Sequence, residues 1–200
     1  MSRKRSRQAR AVRRRRLLAG ALLVVVGVTA GAALGVFGKV DDAIQELTLP
    51  LRHEDVIRQE AAQWDVEPAL IAGMIYAESH FRDQTSHADA RGLMQITPAT
   101  ARFIARRSRG TEFVLEDLSD PDVNIAYGTY YMRYLLDALD QNEVAALAAY
   151  NAGLGNVEKW GGVDMELDDI EFGETRSYVE QVLEKREEYR EAYARELGYR

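Results

Sequence analysis

The stretch Pro68 to Ser79, Pro-Ala-Leu-Ile-Ala-Gly-Met-Ile-Tyr-Ala-Glu-Ser, most restricts what this chain can become. Pro68 suits the first turn of a helix, where its missing N–H costs nothing. Leu70, Ile71, Met74, Ile75 and Ala77 cover more than one stripe, so the segment reads as a helix buried on most sides. The rest of the chain has to wrap it. One carboxylate, Glu78, stands at its far end. Such a group is either an edge residue reaching water or a carboxyl held in a partly apolar site. In the second case its pKa rises, which a general acid near neutral pH requires.

The surrounding sequence reads as helical throughout. Glu54 to Trp64 places Val56, Ile57, Ala61 and Trp64 at helical spacing. After a polar connection from Phe81 to Arg91, Gly92 to Pro98 opens the next helix, with Thr97 as N-cap and Pro98 as the first helical residue. Ser108 to Ser119 reads as a loop, and Asp120-Pro121 starts another helix. Tyr127, Tyr130, Tyr131 and Tyr134 along it suggest a sugar-stacking platform, but at this spacing they read as core. Glu143 to Tyr150 is an Ala-rich helix ended by Asn151-Ala152-Gly153, and Gly161 to Gly173 is an acidic loop. Glu174 to Leu197 reads as one long helix whose charges are solvated and paired at i,i+4. With no alternating β-branched run, the body is expected to be all-α.

Charge divides the chain. Residues 1–16 hold nine of its 26 Lys and Arg and no acid, leaving 17 basic and 32 acidic groups in residues 17–200, a formal net charge of −15. A basic arm is a candidate for nucleic acid, but Leu17 to Phe37 follows at once, 21 residues without a charged side chain. That length spans a bilayer core of about 30 Å as a helix, and arginines before it place the N-terminus in the cytoplasm. The expected organisation is a basic tail (1–16), a membrane anchor (17–37), a tether (38–52) and an exported domain (53–200), with no nucleic-acid partner. A cleavable signal peptide is the alternative, Val28-Thr29-Ala30 resembling a cleavage site. Gly27, Gly31 and Gly35 have the spacing of a close helix–helix contact, a hint of self-association. The chain has no Cys, and its three histidines are too few and too irregularly spaced to suggest a metal site; no metal or cofactor is expected.

Five short stretches carry a family likeness. They are Glu78-Ser79; Gly92-Leu93-Met94-Gln95-Ile96-Thr97-Pro98; Asn124 with Gly128; Ala149-Tyr150-Asn151-Ala152-Gly153; and Glu174-Thr175-Arg176-Ser177-Tyr178-Val179. In this order and with these gaps, His53 to Tyr189 resembles the soluble-lytic-transglycosylase-type catalytic domain, of the lysozyme-like fold.

The resemblance implies a mainly helical, lysozyme-like domain acting on peptidoglycan strands. Glu78 would be its single acid/base, cleaving the bond between N-acetylmuramic acid and N-acetylglucosamine without water and leaving a 1,6-anhydro end. Ser86, Gln95, Tyr150 and Asn151 would line the cleft, with Ser79 beside them and Tyr150 hydrogen-bonded to Glu78. Glu174 and Tyr178 would lie toward the leaving-group side. The connection from Glu78 to Gly92 is one residue shorter than the family's usual spacing, so Ser86 is matched by its distance to Gly92. Thr97 stands where a larger apolar residue is common. Two readings stay open beside this one. A hydrolytic muramidase would need a base such as Asp83, Asp89 or Glu174, and a scaffold would bind glycan without cleaving it.

Overall fold

A computed structural model describes residues 44–86, 89–107 and 114–199. The chain divides into two units, one to Thr48 and one from Leu49 onward. Of the first, the described part is a short helix at 44–48. The stretch Leu17 to Phe37 lies outside the described residues, among which no helix is long and apolar enough to cross a membrane.

The second unit is helical, with seven α-helices among its described residues. They are α1 (Glu54–Trp64), α2 (Pro68–Ser79), α3 (Pro98–Arg107), α4 (Pro121–Ala138), α5 (Glu143–Ala152), α6 (Leu154–Trp160) and α7 (Gly173–Ala192). Short 3₁₀ turns at Leu115–Ser119, Gly162–Asp164 and Leu167–Asp169 join them. Leu49 is buried, and the Tyr193 and Tyr189 hydroxyls donate to the Leu49 and Pro50 carbonyls. The last residues read as tether are thus part of this unit.

Caps follow the sequence signals. Thr97 accepts a hydrogen bond from the Thr100 N–H, Asp120 from Asp122 and Asn142 from Ala145, each quieting a free amide at a helix start. Helix α2 is the axis of the core: Ala69 to Ile75 are all buried. Its closest neighbour is α7. A Cβ at Gly73 would stand 2.9 Å from the Val182 carbonyl oxygen and 3.0 Å from the Arg186 amide nitrogen, so only glycine permits this approach.

The structure corrects two readings of α7. The helix stops at Ala192 rather than Leu197, because Tyr193 leaves helical geometry and the chain turns back. Tyr199 then donates to the Glu67 carboxylate and accepts from the Ala69 N–H at the start of α2. Nor are its charges merely solvated along one helix. Arg186 Nη1 donates to both carboxylate oxygens of Glu143 on α5, at 2.6 and 2.8 Å, and Arg190 reaches Glu67. A partly buried, charge-assisted contact between helices fixes their register better than an exposed i,i+4 pair does.

Candidate active site

Helix α2 ends abruptly beyond Ser79. His80 and Phe81 both take left-handed backbone, at φ 52° and 58°. Two such non-glycine residues in succession are strained, and the burial of the Phe81 ring against Tyr189, 5.9 Å between centroids, offsets the cost. The turn leaves Glu78 on the last turn of a buried helix with part of its surface still open. Burial raises its pKa from 4.5 to about 7, while the Tyr178 hydroxyl pulls it down. No second carboxylate contributes to that shift.

Two tyrosines flank the carboxyl. Tyr178 comes from α7 and Tyr150 from α5, and both hydroxyls are pushed up, first by burial and then by the Glu78 charge. The Tyr178 hydroxyl is buried and closes no hydrogen bond of ordinary geometry. Its influence on Glu78 is therefore a close approach rather than a formed bond. Tyr150 departs from expectation. Its hydroxyl donates to the Met94 carbonyl at 2.9 Å, so its proton is committed to the 91–96 turn and not to Glu78.

That turn is built by Asn124, a fully buried side chain on α4. Its Oδ1 accepts from the Met94 N–H at 2.7 Å, and its Nδ2 donates to the Arg91 and Leu118 carbonyls at 2.8 and 2.9 Å. Arg91 and Ile96 exchange both backbone hydrogen bonds at 3.0 Å, so Gly92 to Ile96 is a bridged turn and the helix begins only at Pro98. Gly92 has φ +74°, and a Cβ there would lie 2.2 Å from the Asn124 amide nitrogen. Gly128, one turn along α4, leaves room for the Met94 sulfur, which a Cβ would meet at 2.3 Å. Asn124, Gly128, Gly92 and Met94 thus form one interlocked piece.

Gln95 sits at the turn's tip in left-handed backbone, φ 48°. Its amide donates to the Gln84 and Gly92 carbonyls at 3.0 and 2.9 Å. Gln84 in turn donates to the backbone carbonyl of Glu78 at 3.2 Å, so the turn is tied to the end of α2. Ser86 is exposed; its hydroxyl accepts from the Ala90 N–H at 3.1 Å and braces the connection. Asn151, exposed on the last turn of α5, accepts from the Thr175 hydroxyl at 2.8 Å. Glu174 is exposed on the first turn of α7.

Ser79 is a correction. It is buried, and its hydroxyl donates back to the Ile75 carbonyl at 3.1 Å, the usual recourse of a serine inside a helix. It braces α2 rather than facing the open side. Tyr127, Tyr131 and Tyr134 of α4 pack against the core as read, yet not all of that face is sealed. Tyr130 packs edge-on against Trp64, but Tyr131 and Tyr134 line an open cavity of about 310 Å³ with Phe103. Two residues were missed. Thr175 lay inside a quoted motif, and its burial beside Asn151 marks it as an orienting group. Gln84 carried no signal, being one polar residue in a polar connection.

Comparison with known proteins identifies the family and the fold. The Transglycosylase SLT domain family matches residues 55–172. The soluble lytic murein transglycosylase of Escherichia coli K12 is 32% identical over 155 residues, which cover 73% of this chain and 24% of that protein. Membrane-bound lytic murein transglycosylase F of Cellvibrio japonicus is 35% identical over 111 residues, 52% of this chain and 21% of that protein. Among solved structures, the 70-kDa soluble lytic transglycosylase of E. coli superposes with a TM-score of 0.69 at 31% identity, covering 77% of this chain and 26% of the other. An inactive glutamate-to-glutamine variant of the lytic transglycosylase Slt from Pseudomonas aeruginosa gives 0.68 at 32%, covering 74% and 25%. The chain spans about a quarter of the length of these relatives. A match over more than half of its residues, with the same helical fold, makes the chain a member of the Transglycosylase SLT domain family.

Proposed function

We propose that the chain is a peptidoglycan lytic transglycosylase in which Glu78 carries one proton in two directions. Protonated in its buried site, Glu78 gives its proton to the glycosidic oxygen as the bond from the muramoyl anomeric carbon breaks. The carboxylate then accepts the proton of the muramoyl 6-hydroxyl while that oxygen bonds to the anomeric carbon. The result is a 1,6-anhydro end, a free 4-hydroxyl on the leaving sugar and a Glu78 reprotonated for the next turnover. No water is consumed. A carboxyl poised near 7 suits both halves, being protonated often enough to donate and basic enough to accept.

The observation that carries the reading is Glu78 itself: a carboxyl raised by burial, with no carboxylate neighbour shifting it, on an SLT fold. A hydrolytic enzyme of this shape would need a second carboxylate to activate water. Asp83, Asp89 and Glu174 are all exposed, and Asp89 is engaged by Arg91 at 3.5 Å. Gln95, Tyr150 and Asn151 are the groups proposed to orient the N-acetyl substituents, with Ser86 and Glu174 on the rim and Tyr178 beside the reacting oxygen. Leu17 to Phe37 is proposed as a single-pass anchor with the catalytic domain outside the cytoplasm. A membrane-bound relative supports that placement. The test is muropeptide release from purified peptidoglycan by the wild-type chain and by Glu78→Gln. Release by wild type and none by the variant is expected; equal release by both would refute the role of Glu78.

A further inference from the structure

The carbonyls at the end of a helix have no partner within it and must find one outside. At the end of α2 the Tyr76 carbonyl accepts from the His80 N–H at 2.9 Å and the Ser79 carbonyl from the Arg82 N–H at 3.1 Å, both backbone groups of the turn that follows. The carbonyl of Glu78 is met differently. It accepts from the side-chain amide of Gln84, six residues on, at 3.2 Å. A side chain from the exposed connection therefore holds the peptide group of the residue that carries the acid.

Gln84 also reaches the other wall of the site, through its backbone. Its carbonyl accepts from the Gly92 N–H at 2.9 Å and from the Gln95 amide at 3.0 Å. The same Gln95 amide donates to the Gly92 carbonyl at 2.9 Å. Behind these contacts Thr85 bridges to Arg91 and Arg91 to Ile96, both antiparallel. The two walls rest on separate foundations: Glu78 on the packing of α2 against α7, the 91–96 turn on Asn124 of α4. Gln84 bonds to both, and its two holds are separable. Loss of the side chain releases the Glu78 peptide but leaves the Gln84 carbonyl, and with it Gln95, in place.

We infer that Gln84 is a positioning residue for the candidate acid: its side chain holds the last turn of α2 against the Gln95 turn, so that the Glu78 carboxyl meets the glycosidic oxygen of a sugar that Gln95 orients. This rests on the glycan-cleaving reading above. Gln84 touches no reacting atom and acts through the Glu78 backbone. Proton transfer depends on such placement, for an acid must stand within hydrogen-bond reach of the oxygen it protonates. A loosened turn also admits water to the carboxyl, which lowers the pKa that burial has raised.

The test uses the full chain in mild detergent and soluble, uncrosslinked peptidoglycan strands. Gln84 is exposed, so its variants are expected to fold. Gln84→Met keeps the length of the side chain and removes its donors. It is expected to lower kcat about fivefold, as loss of one net hydrogen bond does, and to change KM less than about twofold, because the groups that orient the sugar keep their contacts. Gln84→Lys restores a donor and sets a cation at a helix C-terminus, where it is favoured; at pH 5 its kcat is expected within about twofold of wild type. Titration of the Glu78 carboxyl by ¹³C NMR, which needs no substrate, is expected to centre at a pH at least about 0.5 lower in Gln84→Met than in wild type. An unchanged kcat in Gln84→Met, a loss that falls on KM instead, an equal loss in Gln84→Lys, or an unmoved Glu78 titration overturns the positioning role. Wild-type release of anhydro ends from the same strands separates the two inferences. No release refutes the proposed activity, and with it any positioning role in that reaction; release by wild type and by Gln84→Met alike refutes the positioning role alone.

Discussion

Replacing Glu78 by glutamine should change the stability of this protein in a strongly pH-dependent way. The folded carboxyl titrates at about 7 and its unfolded counterpart near 4.5, because burial disfavours the charged form. Below about pH 4.5 both states carry the proton, and the group contributes nothing to the pH dependence. Between 4.5 and 7 the folded state binds more protons than the unfolded one, so stability falls as pH rises. Above 7 the folded state holds a buried carboxylate and the full cost is present, about 3 kcal/mol at 1.36 kcal/mol per pK unit. Glutamine has nearly the same shape and never ionises. Thermal unfolding of the two proteins should therefore run roughly in parallel at pH 4 and diverge with rising pH. By pH 8 the variant should have gained roughly 6–12 °C over wild type, at about 2–4 °C per kcal/mol for a domain of this size. Any pH-independent offset from the glutamine amide leaves the divergence intact. A difference that stays flat from pH 4 to 8 would refute the raised pKa and, with it, the reason Glu78 is suited to its work.

Three further perturbations follow from the geometry. Asn124→Ala strips partners from the Met94 N–H and the Arg91 and Leu118 carbonyls, and should cost roughly 3–5 kcal/mol in urea unfolding; a loss below about 1 kcal/mol would contradict the pinning role. Gly73→Ala drives a methyl into the α7 backbone and should cost about 1–3 kcal/mol. Gly155→Ala, where a Cβ meets nothing within 4 Å, is the control and should cost far less. Tyr178→Phe removes the hydroxyl that holds the Glu78 pKa down, so the alkaline limb of the pH–activity profile should move to higher pH. A limb that moves to lower pH would show that the hydroxyl acts otherwise.

The helical body was legible because its signals are local. Pro68, Thr97-Pro98 and Asp120-Pro121 mark helix starts through backbone chemistry that operates within one turn. The apolar girth of α2 announced a core helix for the same reason. What sequence hid is cross-chain geometry. Nothing at Tyr150 says that its hydroxyl turns to Met94, since that depends on how Asn124 anchors a turn 30 residues away in sequence. Tyr131 and Tyr134 share the helical spacing of core residues, and only the placement of α3 opposite them leaves a groove instead of a sealed interior. Ser79 shows the converse. Its place next to Glu78 suggested the cleft, but a serine there can satisfy its hydroxyl on the preceding helical turn and stay buried. Charge on α7 suggested solvent, while Arg186 and Arg190 reach across to α5 and Glu67.

The claim that one buried carboxyl cleaves glycan without water is tested most directly by digestion of purified peptidoglycan in ¹⁸O-labelled water, followed by mass spectrometry of the new ends. Anhydro-muramoyl ends free of ¹⁸O are expected. Reducing muramoyl ends that each carry one ¹⁸O would contradict the claim and assign the site to hydrolysis.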